Sequence, residues 1–159
     1  MKLPQEVQII LGVFRCFGQE IYLAGGAVRD HVLGKEIRDY DIFLDSAKGD
    51  LDELRILADR MGMVIQPFSF NGPYSGARLT KGNLTIEVIG YMGIAWEERL
   101  AHFPVNASKV YLNEEGIIVE SEQFNIYRET QDLVFDWSHA TCSQEKQDAY
   151  ELKIRRKFS

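Results

Sequence analysis

Long apolar runs are absent from this chain of 159 residues. No stretch approaches the roughly 18–20 apolar residues that a membrane-crossing helix needs, so no membrane partner is expected. Residues 1–6 have neither the charged start nor the apolar stretch of a secretory leader. Cysteine is scarce: Cys16 and Cys142 stand far apart and in no CxxC pattern. That excludes a disulfide framework and reads as two free thiols in a reducing compartment, with the cytoplasm as the expected location. His31, His102 and His139 have no ligand spacing, which argues against a zinc site. There is no internal repeat, low-complexity tract or linker, and the length fits one domain able to bury a core without staples. Positive charge is not in excess either. The net charge is −6, so any contact with a polyanion must be local, and the one dense basic run is 153–157.

What is present is an ordinary globular composition, 45% hydrophobic and 26% charged, with clear periodicities. Apolar residues at helical spacing predict a helix over 5–17, ended by Gly18. Residues 21–24 read as a short buried strand, Gly25-Gly26 as a tight turn, and 27–33 as a short helix closed by Gly34. Residues 39–44 alternate polar and apolar and predict a second strand. An amphipathic helix is expected over 50–61, with Leu51, Leu54, Leu57 and Ala58 inward. Residues 71–76 read as a loop. Hairpins are expected from 77–80 with 84–89, and from 109–112 with 117–120. A polar helix is expected over 143–157. The aromatic set Phe68, Phe70 and Tyr74 is read chiefly as packing under the 71–76 loop, with base stacking as the other option. Helices interleave with strands, but the hairpins break a strict alternation. The expected class is therefore α/β or α+β with a mixed sheet.

Two short motifs carry chemistry. Asp39 and Asp41 lie two apart on a predicted strand, so both carboxylates point to one face while Tyr40 turns away. Carboxylate pairs of this kind suit Mg²⁺, with Mn²⁺ as a possible replacement, and paired metals suit phosphoryl chemistry on a nucleoside triphosphate. Glu87, on a predicted strand between apolar neighbours that point the other way, is the candidate third carboxylate and metal ligand. Upstream, Gly25 and Gly26 end a strand and open a helix, where bare backbone can approach phosphates closely. Arg29, one turn further on, is a candidate cationic contact to the triphosphate. Each piece alone is common: Asp-x-Asp is usually a surface pattern and Gly-Gly usually a turn. Order and spacing together give them weight.

The run Gly25-Gly26-Ala27-Val28-Arg29-Asp30-His31-Val32-Leu33-Gly34, followed by Asp39-Tyr40-Asp41, resembles the head-domain signature of the class II CCA-adding enzyme and bacterial poly(A) polymerase family. That signature runs Gly-Gly-x-Val-Arg-Asp-x-Leu-Leu-Gly and then Asp-x-Asp. Residues 103–107 are similar to the end of the family's Arg-Asp-Phe-Thr-Ile-Asn-Ala segment. The turn Asn113-Glu114-Glu115-Gly116 falls where the family has Asp-x-x-Gly. Asp148 and Phe158 have the separation of the Asp and Phe in the family's Asp-Pro-x-Arg-x-x-Arg-x-x-Arg-Phe helix, with Lys157 at its last arginine. The resemblance implies a polymerase-β-like nucleotidyltransferase fold, with residues 1–125 as catalytic head and 126–159 as a helical extension like the start of a neck. It implies that Asp39 and Asp41 bind magnesium, with Glu87 as the third carboxylate. It further implies that Gly25, Gly26 and Arg29 handle the triphosphate and that Asn106 lies near the nucleotide.

The sequence departs from that pattern in places. Ala101-His102 stand where the family has Arg-Asp, and Arg99 is either a substitute or a plain surface arginine. The first two arginines of the last helix are Glu151 and Ile154 here. The expected activity is Mg²⁺-dependent transfer of a nucleoside monophosphate to a hydroxyl, with an RNA or tRNA 3′ end, a protein or a small molecule as acceptor. The matching segment ends where the family's neck, body and tail begin, so a minimal stand-alone form is the expectation. The alternatives are a nucleotide-binding regulatory module that has lost catalysis, and an interaction subunit completed by a protein partner.

Overall fold

The computed structural model describes residues 1–45, 50–69, 75–91 and 93–158. Helix α1 (Gln5–Cys16) leads into strand β1 (Ile21–Ala24), helix α2 (Gly26–Val32) and strand β2 (Asp39–Asp45). Helix α3 (Asp50–Met61) and strands β3 (Val64–Ser69), β4 (Ser75–Lys81) and β5 (Leu84–Tyr91) follow. The chain ends with α4 (Trp96–Ala101), β6 (Val110–Leu112), β7 (Ile118–Glu120), α5 (Glu122–Thr130) and α6 (Gln144–Lys157). The strands form one mixed sheet in the order β3-β4-β5-β2-β1-β6-β7. Only β2 and β5 pair in parallel; β1 runs antiparallel to β2 on its other side. This is the α+β arrangement with a mixed sheet that the sequence predicts.

Strand alternation divides the sheet into two unlike faces. Ile21 and Leu23, Ile42 and Leu44, and Ile86 and Val88 point to one face, and all are buried beneath α1, α2 and α3. On α1 the buried side chains are Val7, Ile10, Leu11 and Phe14, which is the helical spacing read from the sequence. The opposite face carries Ala24, Phe43 and Tyr91, covered by Trp96, Leu100 and Phe103 at and just after α4. A third cluster, Val105, Ala107, Tyr127 and Ile154, seats α6 against α5 and the 105–107 segment.

Three elements escape the sequence reading. Strand β3 contains Pro67, which breaks the ladder signal but is tolerated because β3 is an edge strand paired only with β4. Helix α4 is six residues long, too short to show a period. Helix α5 is largely polar; Ser121 caps it by accepting a hydrogen bond from the Phe124 amide at 3.2 Å. It runs through the 125/126 boundary expected between head and extension. Of the loop expected over 71–76, residues 71–74 lie outside the described residues, while Ser75 and Gly76 already belong to β4. Phe70 and Tyr74 likewise lie outside them; Phe68 sits on β3 opposite Gly76. Among the described residues no helix is long and apolar enough to cross a membrane.

Gly76 shows how tightly β4 meets β5. A Cβ there would lie 2.1 Å from the Val88 carbonyl oxygen and 3.1 Å from the Phe68 ring. Backbone cannot yield that far without parting the strands. Gly76→Ala is expected to lower stability by about 2–4 kcal/mol, read as a lower urea midpoint with an unchanged slope. A midpoint equal to wild type would show that β4 and β5 are not packed as described.

Candidate active site

Burying Ile42 and Leu44 under the helices forces Asp39, Asp41 and Phe43 out through the other face of β2. Asp41 stands in register with Ala24 on β1 and Glu87 on β5, and Asp39 stands opposite Thr85. Asp39 and Asp41 open onto a cleft of about 790 Å³. Gly25, Gly26 and Arg29 line the same cleft, so the two sequence motifs meet there. Gly25 has φ +74, the left-handed conformation a side chain would strain, and its carbonyl accepts the Arg29 amide at 2.9 Å.

Asp41 is half-buried, and its carboxyl is pushed up to about 7. Desolvation is the largest cause, followed by the charges of Glu87 and Asp39; Lys153 and Arg29 pull the other way. Burial thus outweighs the pull of the nearby cations on this carboxyl.

The other expected site residues are placed differently. Glu87 is a neighbour of Asp41 in the sheet, but its Oε1 accepts two hydrogen bonds from Arg78, at 2.9 Å from Nε and 2.7 Å from Nη2. Among the described residues no three acidic, histidine or cysteine side chains form a ready-made metal cluster. Arg29 is 5% exposed: Nε donates to Asp30 at 2.9 Å and Nη1 to Ser108 Oγ at 3.0 Å. Its Nη2 lies under Gly26, 3.2 Å from where a Cβ would stand. Asn106 is outside the cleft lining. Its Nδ2 donates to the Asp132 carbonyl and its Oδ1 accepts the Val134 amide, so both ends of the amide hold the 132–134 segment. His102 stacks on His139 at 3.7 Å between ring centroids rather than entering the cleft. Arg99 does line it, with its guanidinium about 5 Å above the Phe43 and Phe103 rings.

What the sequence reading did not assemble is the cationic rim. Lys35 and Arg38 from the α2–β2 connection and Lys153, Arg156 and Lys157 from α6 all line the cleft. Seven basic side chains face four acidic ones there, so the cleft is locally positive in a chain of net charge −6. The run 153–157 carried the signal, but only the tertiary packing of α6 decides which of its residues turn inward.

Residues 21–70 match the poly(A) polymerase head domain family. The matched segment holds both the Gly25-Gly26 turn and the Asp39 and Asp41 pair. No curated protein sequence matches it significantly. Among solved structures, the apo form I of a tRNA-processing enzyme superposes with a TM-score of 0.67 at 22% identity, covering 84% of this chain and 37% of that one. A tRNA nucleotidyltransferase complexed with a primer tRNA and an incoming ATP analogue gives 0.60 at 23% identity, covering 76% and 36%. The Bacillus stearothermophilus CCA-adding enzyme in complex with CTP gives 0.57 at 20%, covering 84% and 34%. At these identities the likeness is one of fold, the polymerase-β-like nucleotidyltransferase fold. The chain spans about a third of the length of these relatives.

The raised Asp41 pKa has a direct consequence for the metal-free protein. Between its ordinary value near 3.8 and about 7, the folded state holds a proton that the unfolded chain has released. Stability therefore falls as pH rises through that window and levels off above it. Asp41→Asn is expected to flatten this slope and to be more stable than wild type at pH 8 in EDTA, by on the order of 1–3 kcal/mol. Urea titrations at pH 5 and pH 8 check it; a slope unchanged by the substitution would contradict the assignment.

Proposed function

We propose that the chain is a divalent-metal-dependent nucleotidyltransferase that moves a nucleoside monophosphate from a nucleoside triphosphate to a hydroxyl, with an RNA 3′ end as acceptor and pyrophosphate as the leaving group. The observation that carries this reading is the placement of Asp39 and Asp41 on one face of β2, in a cleft shared with Gly25 and Gly26 and rimmed by cations.

The residues fit a magnesium or manganese ion. Two carboxylates face the cleft, and burial, reinforced by the charges of Glu87 and Asp39, raises the proton affinity of Asp41, a cost that a bound cation would relieve. Bound there, such an ion supplies Lewis-acid charge to the reacting phosphate and acceptor oxygens. The chain's own residues do the rest. Asp39 and Asp41 hold their carboxylates at a fixed separation because both sit on one strand. Gly25 and Gly26 leave room for a phosphate to approach the backbone beside Asp41. Glu87 adds a third carboxylate beside Asp41, with its Oε1 held by Arg78. Asn106 acts on the 132–134 segment, which lies next to the α6 seat, and so positions the site rather than touching the nucleotide. Residues from 126 onward, α6 above all, serve as the first part of a neck that closes over the head.

The RNA acceptor is supported by the solved relative bound to primer tRNA, at the level of fold. A second reading, a nucleotide-binding module without transfer, draws on the Arg78–Glu87 pair, which engages one oxygen of the third carboxylate.

Incubation with Mg²⁺ or Mn²⁺, each labelled nucleoside triphosphate and a mixed RNA pool tests the proposal. Wild type is expected to release pyrophosphate and label RNA. Asp39→Ala and Asp41→Ala are each expected to lose at least about 100-fold in rate, on the scale of removing one charge-stabilising contact, with circular dichroism unchanged. Full activity in both variants would sink the assignment. Nucleotide binding by wild type with no pyrophosphate under any condition would favour the second reading.

A further inference from the structure

The cleft joins two unlike electrostatic surfaces. Its floor at Asp39 and Asp41 is anionic, whereas its rim is cationic. A bare anion is repelled by the floor and a bare cation by the rim. The ligand that satisfies both is a polyphosphate carrying a divalent cation.

Not every rim cation is available to such a ligand. Arg29 is committed to Asp30 and Ser108, and Lys157 to the second oxygen of Asp30. Arg99 lies over Phe43 and Phe103. Lys35 lies over the Phe158 ring, 5.2 Å from its centroid. Lys153 and Arg38 both line the cleft with no ion pair within 4.0 Å among the described residues, and Lys153 is the one whose charge acts on the Asp41 carboxyl.

Helix α6 holds Lys153 in place from several sides. Ile154 is buried in the third cluster, and Tyr150, one turn earlier, packs against the same cluster. Glu151 accepts the Trp137 indole N–H at 2.7 Å, and Arg155 lies 4.9 Å from the Phe135 ring centroid on the outer side. Residues 150, 153, 154 and 157 are spaced to share one helix face. With Tyr150, Ile154 and Lys157 anchored, Lys153 has little choice but to project into the cleft, and Arg156 lines its edge.

We infer that Lys153 is a polyphosphate-binding cation of the cleft, a part for which the Gly-Gly motif's own Arg29 is less free, since Asp30 and Ser108 hold two of its nitrogens. The inference rests on the nucleotidyltransferase reading for the identity of the polyphosphate as the triphosphate and pyrophosphate ends of substrate and product. A flexible lysine suits that part, because its compact ammonium follows the leaving group as a point charge.

Isothermal titration with sodium tripolyphosphate in excess Mg²⁺ tests it, on wild type and on Lys153→Met, Lys153→Arg and Lys146→Met. Wild type is expected to bind, with affinity falling as salt rises. Lys153→Met is expected to weaken binding at least tenfold, while Lys153→Arg stays within threefold. Lys146→Met, an exposed position in the first turn of α6 outside the cleft lining, is expected to bind as wild type with an unchanged melting temperature. Equal binding by wild type and Lys153→Met would overturn the inference, as would no binding by wild type at millimolar tripolyphosphate. The transfer assay separates the two readings. Transfer that depends on Asp41 but not on Lys153 leaves the enzyme standing and the lysine assignment fallen. Lys153-dependent tripolyphosphate binding without any transfer leaves the polyphosphate site standing alone.

Discussion

Everything at the site follows from the pleat of one strand. Strand β2 is pinned between antiparallel β1 and parallel β5, and its Ile42 and Leu44 must face the helices to stay dry. A one-residue slip would send both into the cleft and bury two aspartates in the core, at a cost no domain of this size could absorb. The hydrophobic core therefore fixes the carboxylates in place before any ligand arrives. The cost that results, desolvation of Asp41 first and repulsion from Glu87 and Asp39 second, shows in its raised pKa and is sustained by the packing of Ile42 and Leu44.

A second tie brings the C-terminal helix to the same place. Asp30 is 3% exposed and lies between Arg29 and Lys157, residues far apart in the chain. Phe158 adds its ring beneath Arg29, 5.0 Å from the guanidinium carbon. Buried ion pairs contribute little net stability but are costly to break singly. Their effect here is one of registry: the rim of the cleft is built from residues 153–157 because Asp30 and Ile154 leave α6 one seating. The Arg-Asp pair of the Gly-Gly motif thus serves the architecture of the site as much as its chemistry.

This explains which parts could be read from the chain alone. Residues 21–45 were legible because strand alternation, a Gly-Gly turn and two aspartates at i and i+2 are all local signals. The helices α1, α3 and α6 were legible from their periods. Arg29 and Asn106 are the instructive cases. Their places in the motif suggest contact with nucleotide, but their polar groups turn out to be engaged by Asp30, Ser108, Asp132 and Val134, partners that only the tertiary fold supplies. Glu87 is similar: the strand and its orientation were foreseeable, but its bond to Arg78 depends on the β4–β5 register. The cationic rim was hidden for the same reason, since Lys35 and Arg38 come from one stretch of sequence and Lys153 from another far along the chain.

The central claim is that a divalent cation is drawn to Asp39 and Asp41 in this cleft. Amide spectra of ¹⁵N-labelled protein, recorded while sub-stoichiometric Mn²⁺ is added, test it most directly, since the paramagnetic ion erases signals only near where it binds. Selective loss at Ala24 to Gly26, Asp39 to Phe43 and the neighbouring part of β5, abolished by Asp41→Asn, is the predicted result. Broadening centred on a surface carboxylate cluster such as Glu114 and Glu115, or unchanged in the Asp41→Asn protein, would contradict it.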